Sequence, residues 1–184
     1  YYSLAASQNN STAQCNLGSI YSNGEYVPRD INKAIHYYSL AASQNNSTAQ
    51  CNLGSIYSNG EYVPRDINKA IHYYSLAASQ NNSTAQCNLG FIYSNGEYVP
   101  RDINKAIHYY SLAADQNDSD AQFQLGYLYE KGEYVPQNIN KAIHYYSLAA
   151  YQNNSSAQCN LGSIYLNGEY VPRDINKAIH YYSL

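Results

Sequence analysis

The chain has 184 residues, a net charge of −3 and charged side chains at only 12% of positions, so it lacks the basic field that binds a polyanion, which excludes nucleic acid as a partner class. No apolar run reaches bilayer length and no charged leader precedes an apolar stretch, so neither membrane insertion nor targeting is expected. Methionine is absent and both ends fall inside one repeated segment, "YYSLAASQ" at the start and "YYSL" at the end, which reads as a piece of a longer chain.

That segment belongs to a period. "INKAIHYYSL" starts at Ile31, Ile67, Ile103, Ile139 and Ile175, always 36 residues apart. A repeat of this length is one supersecondary unit that buries its apolar face only by stacking on a neighbour, so an elongated array is expected and no single repeat should fold alone. The divisions are 1–8, the end of a truncated repeat; 9–44, 45–80 and 81–116, repeats 1 to 3; 117–152, a divergent repeat 4; and 153–184, a truncated repeat 5.

In chain order, the unit Ser11–Asn46 predicts two helices. Ser11 with Gln14 three residues on, kept in every repeat, reads as a capping box opening the first. Ala13, Leu17, Ile20 and Tyr21 form its apolar stripe, and Gly24 ends it in a left-handed conformation. Gly18 is costly inside a helix, so its recurrence predicts close approach of the second helix. The loop "EYVPRD" extends the chain before Pro28, and Asp30 caps the second helix. Asn138 stands at this place in repeat 4 and caps as well. Ile31, Ala34, Ile35, Tyr38, Ala41 and Ala42 form the core face; Lys33, His36, Leu40 and Gln44 point away, with Tyr37 at the flank. Asn45 and Asn46 are expected to be left-handed residues that end the helix.

These residues resemble the Sel1-like repeat family, through Ala13, Leu17-Gly18, Tyr21, Gly24, Val27, Asp30, Lys33-Ala34, Tyr38 and Ala41-Ala42 and their copies. The chain departs from the family at Tyr26, which stands where the loop often has its second glycine. The resemblance implies an all-α fold, a right-handed α-solenoid of 36-residue helix-loop-helix Sel1-like repeats. It also implies a scaffold or adaptor that binds a peptide or partner protein rather than an enzyme. Two other readings accompany it: a regulatory or oligomerisation segment of a larger signalling protein, for example one carrying a kinase, and a relative of penicillin-binding or penicillin-hydrolysing members. The bacterial branch linked to penicillin has two cysteines per repeat, whereas each unit here has at most one.

Cys15, Cys51, Cys87 and Cys159 occupy equivalent places, and equivalent helices of stacked repeats lie about 8–10 Å apart, beyond the ~7 Å between Cα atoms that a disulfide spans. Free thiols are therefore expected, which favours a cytoplasmic location, although the compartment itself is not legible. The histidines at 36, 72, 108, 144 and 180 share this spacing and cannot converge on one metal ion. No nucleophile has a neighbouring base, and neither a metal nor a cofactor is called for. Asn10-Ser11-Thr12 fits the glycosylation pattern, but abundant Asn beside a capping Ser explains it.

The side of the first helix opposite Leu17 carries Cys15, Ser19 and Ser22, flanked by Thr12, Asn16 and Asn23. By resemblance to related helical-repeat proteins this surface lines the concave side. There Asn16, Asn52, Asn88, Gln124 and Asn160 form an amide ladder able to pair with the backbone of an extended peptide. The same surface carries Phe91, Phe123 and Tyr127, an expected apolar patch for a partner. Leu40 and its copies mark a rival convex face for self-association.

Overall fold

The computed structural model describes Ala6 and residues 8–184; the segment 1–8, expected to end a preceding repeat, lies largely outside the described residues. Among the described residues all regular structure is helical. The first helices of the repeats are α1 (Ser11–Asn23), α3 (Ser47–Asn59), α5 (Ser83–Asn95), α7 (Ser119–Lys131) and α9 (Ser155–Asn167). The second helices are α2 (Ile31–Ser43), α4 (Ile67–Ala78), α6 (Ile103–Ala114), α8 (Ile139–Tyr151) and α10 (Ile175–Tyr182). The chain divides into two compact units, Tyr1–Leu89 and Gly90–Leu184. In the first, α1 packs on α2, α2 on α3 and α3 on α4; in the second, α6 packs on α7, α7 on α8, α8 on α9 and α9 on α10.

Each helical pair closes on a glycine. A Cβ on Gly18 would lie 2.5 Å from a ring carbon of Tyr38, and one on Gly126 would lie 2.6 Å from Tyr146, so only glycine lets the tyrosine ring lie flat against the first helix. Gly24, at φ 71°, ends α1 as expected. Asp30 caps α2 by accepting from the Lys33 N–H at 3.0 Å, and Asn138 does the same for Lys141 at 3.0 Å. The core of each pair is built from small residues around that ring, namely Ala34, Tyr38 and Ala41 in α2 and Ala142, Tyr146 and Ala149 in α8.

The entry to the first helix differs from expectation. Asn10, not Ser11, is the N-cap, accepting from the Ala13 N–H at 2.9 Å. The reason lies in the turn between repeats, which needs one left-handed residue followed by one extended residue. Asn45 takes φ 61° and Asn46 takes φ −72°, so only the first is left-handed and the second caps α3. Ser11 then falls inside the helix, and Gln14 is one position too far along to close a capping box. Gln14 is instead buried, and its amide joins repeats: Nε2 donates to the Ala6 carbonyl at 3.2 Å, while Oε1 accepts from Gln44 Nε2 at 2.7 Å. In the second unit Gln122 donates to the Ala114 carbonyl at 3.3 Å and accepts from Gln152 at 2.8 Å.

The recurring His-Tyr-Tyr is a packing device. Tyr38 fills the core, while Tyr37 stacks on Tyr21 with ring centroids 5.7 Å apart. Lys33 Nζ lies 5.1 Å from the Tyr21 ring, and His36 meets Tyr37 edge-on at 5.2 Å. The same four-part stack recurs in repeat 5 as Lys177, Tyr165, Tyr181 and His180.

Candidate partner-binding grooves

A groove between α1 and α3 has a volume of about 260 Å³ and is lined by Ser19, Ser22, Asn23, Asn52, Ser55 and Asn59, with the edges of Tyr38 and Tyr62. Its walls mix hydroxyls and side-chain amides, groups that both donate and accept, with the Glu61 carboxylate and the apolar Ile31 and Ile56. The buried tyrosine reaches it only with its oxygen: the Tyr38 hydroxyl donates to Ser19 Oγ at 3.1 Å. A second groove, about 190 Å³, lies between α7 and α9 in the other unit and uses the equivalent positions. There Glu130 and Lys131 stand where the first groove has Ser22 and Asn23. The Tyr146 hydroxyl donates to Glu130 Oε2 at 2.7 Å and accepts from Asn160 Nδ2 at 2.9 Å, and Lys131 Nζ lies 3.4 Å from Glu130 Oε1.

The members of the expected amide ladder are all half-buried, Asn16, Asn52 and Asn88 in the first unit and Gln124 and Asn160 in the second; of these, Asn52 lines the first groove and Asn160 the second. The expected aromatic patch is reduced to a pair. Phe91 and Tyr127 are 54% and 42% exposed at equivalent sites, whereas Phe123 packs against the buried cluster of α8 and α9, its ring centroid 5.7 Å from that of Tyr146. Cys15 and Cys51 are likewise buried, although they stand opposite the Leu17 stripe. A helix inside a stack has neighbours on two sides. Leu17 clusters with Ala6 and Ala13, while Cys15 joins Ala34, Tyr38, Ala49 and Leu53 toward the next repeat. All four cysteines are free thiols. The histidines at 36, 72, 108, 144 and 180 are exposed, and so are Leu40, Leu76, Leu112 and Leu148.

Burial sets the protonation of the thiol and hydroxyl packed between the helices. It pushes the Cys51 thiol up to about 11 and the Tyr74 hydroxyl up to about 12, so both are neutral. Burial, then the Glu130 carboxylate that accepts its proton, raises Tyr146 as well, which fixes that hydroxyl as a donor.

One element was missed in the sequence. Arg29 bridges consecutive repeats, with Nη1 bonded to the Tyr62 hydroxyl, its guanidinium carbon 5.1 Å from that ring and Nη2 3.5 Å from the Asn23 carbonyl. Arg101 holds Tyr134 the same way, 4.7 Å from the ring centre. The signal was the loop tyrosine at the family's glycine position, one repeat beyond each arginine.

A family model described as "Sel1 repeat" matches residues 11–46, 47–82, 83–118, 119–154 and 155–184. The chain is similar to a Sel1 repeat protein from Oxalobacter formigenes at 36% identity and TM-score 0.91, over 99% of this chain and 75% of that one. It is also similar to c5321, a protective antigen of uropathogenic Escherichia coli with an SLR fold, at 30% identity and TM-score 0.70, over 99% of this chain but 47% of that one. An immunity protein, Pa5087, from Pseudomonas aeruginosa matches at 26% identity and TM-score 0.65, over 99% of this chain and 70% of that one. No curated protein sequence matches. The fold class is all-α, a solenoid of helix-loop-helix repeats, and with the family model covering every full unit the chain belongs to the Sel1 repeat family.

Proposed function

We propose that this chain is a protein-interaction scaffold that binds an extended segment of a partner protein along the first-helix face of its repeats. The carrying observation is the groove between α1 and α3, open, about 260 Å³ in volume and walled by hydroxyls and amides together with Glu61, Ile31 and Ile56. Such walls suit the alternating donors and acceptors of a peptide backbone. Phe91 and Tyr127 add apolar anchor points on the same helix face. The descriptions of the similar proteins, protective antigen and immunity protein, name no reaction, in keeping with a binding role.

The test is selection of peptides from a random displayed library against the folded chain, followed by nuclear magnetic resonance mapping. Selected peptides are expected to shift the side-chain amides of Asn52 and Asn160. They should lose roughly tenfold in affinity against Asn52→Ala and against Phe91→Ser with Tyr127→Ser, helicity being unchanged. Failure to enrich any peptide overturns the reading. A footprint on Leu40, Leu76, Leu112 and Leu148 instead favours self-association through the second-helix face, where those leucines are exposed.

A further inference from the structure

We propose that the groove between α7 and α9 receives an arginine side chain from the partner protein, its guanidinium stacking on Tyr170 as the chain's own arginines stack on Tyr62 and Tyr134. This rests on the peptide-binding reading above and names the chemistry of one anchor.

Two copies within the chain define the guanidinium position. Arg29 at the junction of repeats 1 and 2, and Arg101 at that of repeats 3 and 4, each use the planar fork twice. One nitrogen bonds the loop tyrosine of the next repeat and another faces the last carbonyl of the first helix, Asn23 or Asn95, at 3.5 and 3.1 Å. At the junction of repeats 4 and 5 this position is Gln137. Its amide donates to the Glu130 carbonyl at 2.8 Å, and it brings no charge to the neighbouring loop. Tyr170, the counterpart of Tyr62 and Tyr134, is 43% exposed and faces the groove, and among the described residues neither a hydrogen bond nor a cation meets it.

The same repeat that removes the internal arginine adds a carboxylate. Glu130 replaces the serine of the first groove, Glu169 lies beside Tyr170, and both line the cavity. Lys131 offsets Glu130, so relative to the first groove the site is one charge more negative through the loss of arginine. Lys131 Nζ also lies 5.5 Å from the Tyr127 ring, on a long and largely solvated arm that an incoming guanidinium can displace. A ring face, nearby carboxylates and a side-chain amide at Asn160 match a planar cation better than the compact ammonium of lysine.

The experiment titrates the intact chain with an acetylated glycine–arginine–glycine amide and with its lysine and citrulline counterparts, following the Tyr170 ring and Asn160 amide resonances. The arginine peptide should shift both and saturate in the millimolar range. The lysine peptide should bind several-fold more weakly, and the citrulline peptide, planar but uncharged, should not bind. Gln137→Arg installs the residue already present at 29, 65, 101 and 173, so it keeps the fold while placing an internal guanidinium on Tyr170. It should weaken the arginine peptide by roughly tenfold or more, and Tyr170→Leu should do the same. Equal binding by Gln137→Arg and the parent, equal binding of the citrulline peptide, or shifts that spare Tyr170 would overturn the assignment. Library-selected peptides that bind without needing arginine would remove this anchor alone, leaving the scaffold reading intact.

Discussion

The junction of repeats 1 and 2 and the junction of repeats 4 and 5 share a buried set of alanines, a tyrosine and a leucine and differ in what lines their grooves. Both set a tyrosine ring on a glycine, Tyr38 on Gly18 and Tyr146 on Gly126, and both use a glutamine amide to reach the preceding repeat. In the first, serines and asparagines line the groove with Glu61, Ile31 and Ile56, and Arg29 bonds Tyr62 at its edge. In the second, Glu130 and Lys131 replace Ser and Asn, and Gln137 leaves Tyr170 without the guanidinium that Tyr62 has. Stacking thus depends on positions that face neighbours on both sides. Positions 23 and 29, and their equivalents at 131 and 137, differ between the junctions and face water, while at the half-buried position 22 the serine gives way to Glu130, which accepts from the Tyr146 hydroxyl.

That comparison can be broken most sharply at the glycines. Gly54→Ala drives a Cβ to 2.6 Å from the fully buried Tyr74 ring and should lower unfolding free energy by about 1–3 kcal/mol in denaturant titration. Gly162→Ala should cost clearly less, because its neighbour Tyr182 is 49% exposed and can yield. Equal losses would show that backbone strain, not the ring, sets the requirement. Next comes the amide clamp: Gln122→Ala leaves the Gln152 amide without its acceptor and the Ala114 carbonyl with only the Asn117 N–H, and should cost about 1–2 kcal/mol, read in the same titration.

A smaller effect is set by pH. Cys51 and Tyr74 have folded pKa values of about 11 and about 12, above the roughly 8.5 and 10 of the unfolded groups. Their contribution is therefore complete below the unfolded values and is lost as pH rises through the folded ones. Thermal melts should fall between about pH 9 and 11, and Cys51→Ala should flatten the early part of that fall; an unchanged slope would contradict it. The smallest effect is at the arginine: Arg29→Gln gives the first junction the residue of the second and should lower Tm only slightly, since the Arg29–Tyr62 pair is exposed. A large drop would mean that the arginine holds the stack rather than the groove.

Much of this was legible because it depends on local spacing. Gly18 predicted a close helix partner and Asp30 a cap, and both are met. The Ser11 capping box was not, because Asn10 competes for the same role and the turn between repeats decided between them. The groove was read with one error of kind. A helical wheel marks a single buried stripe, which put Cys15 and Phe123 on the open face, whereas a stacked helix is covered on two sides and both residues pack toward the next repeat.

The sequence by itself determined the period, which its 36-residue recurrence displays, and the two helices of each repeat with their glycine contact, which follow from spacing within about one helical turn. The tertiary structure alone decided which polar side chains bond across repeats. Gln14 and Gln44 lie 30 residues apart, and Arg29 and Tyr62 lie 33 apart, so no local rule joins them until the backbones have stacked.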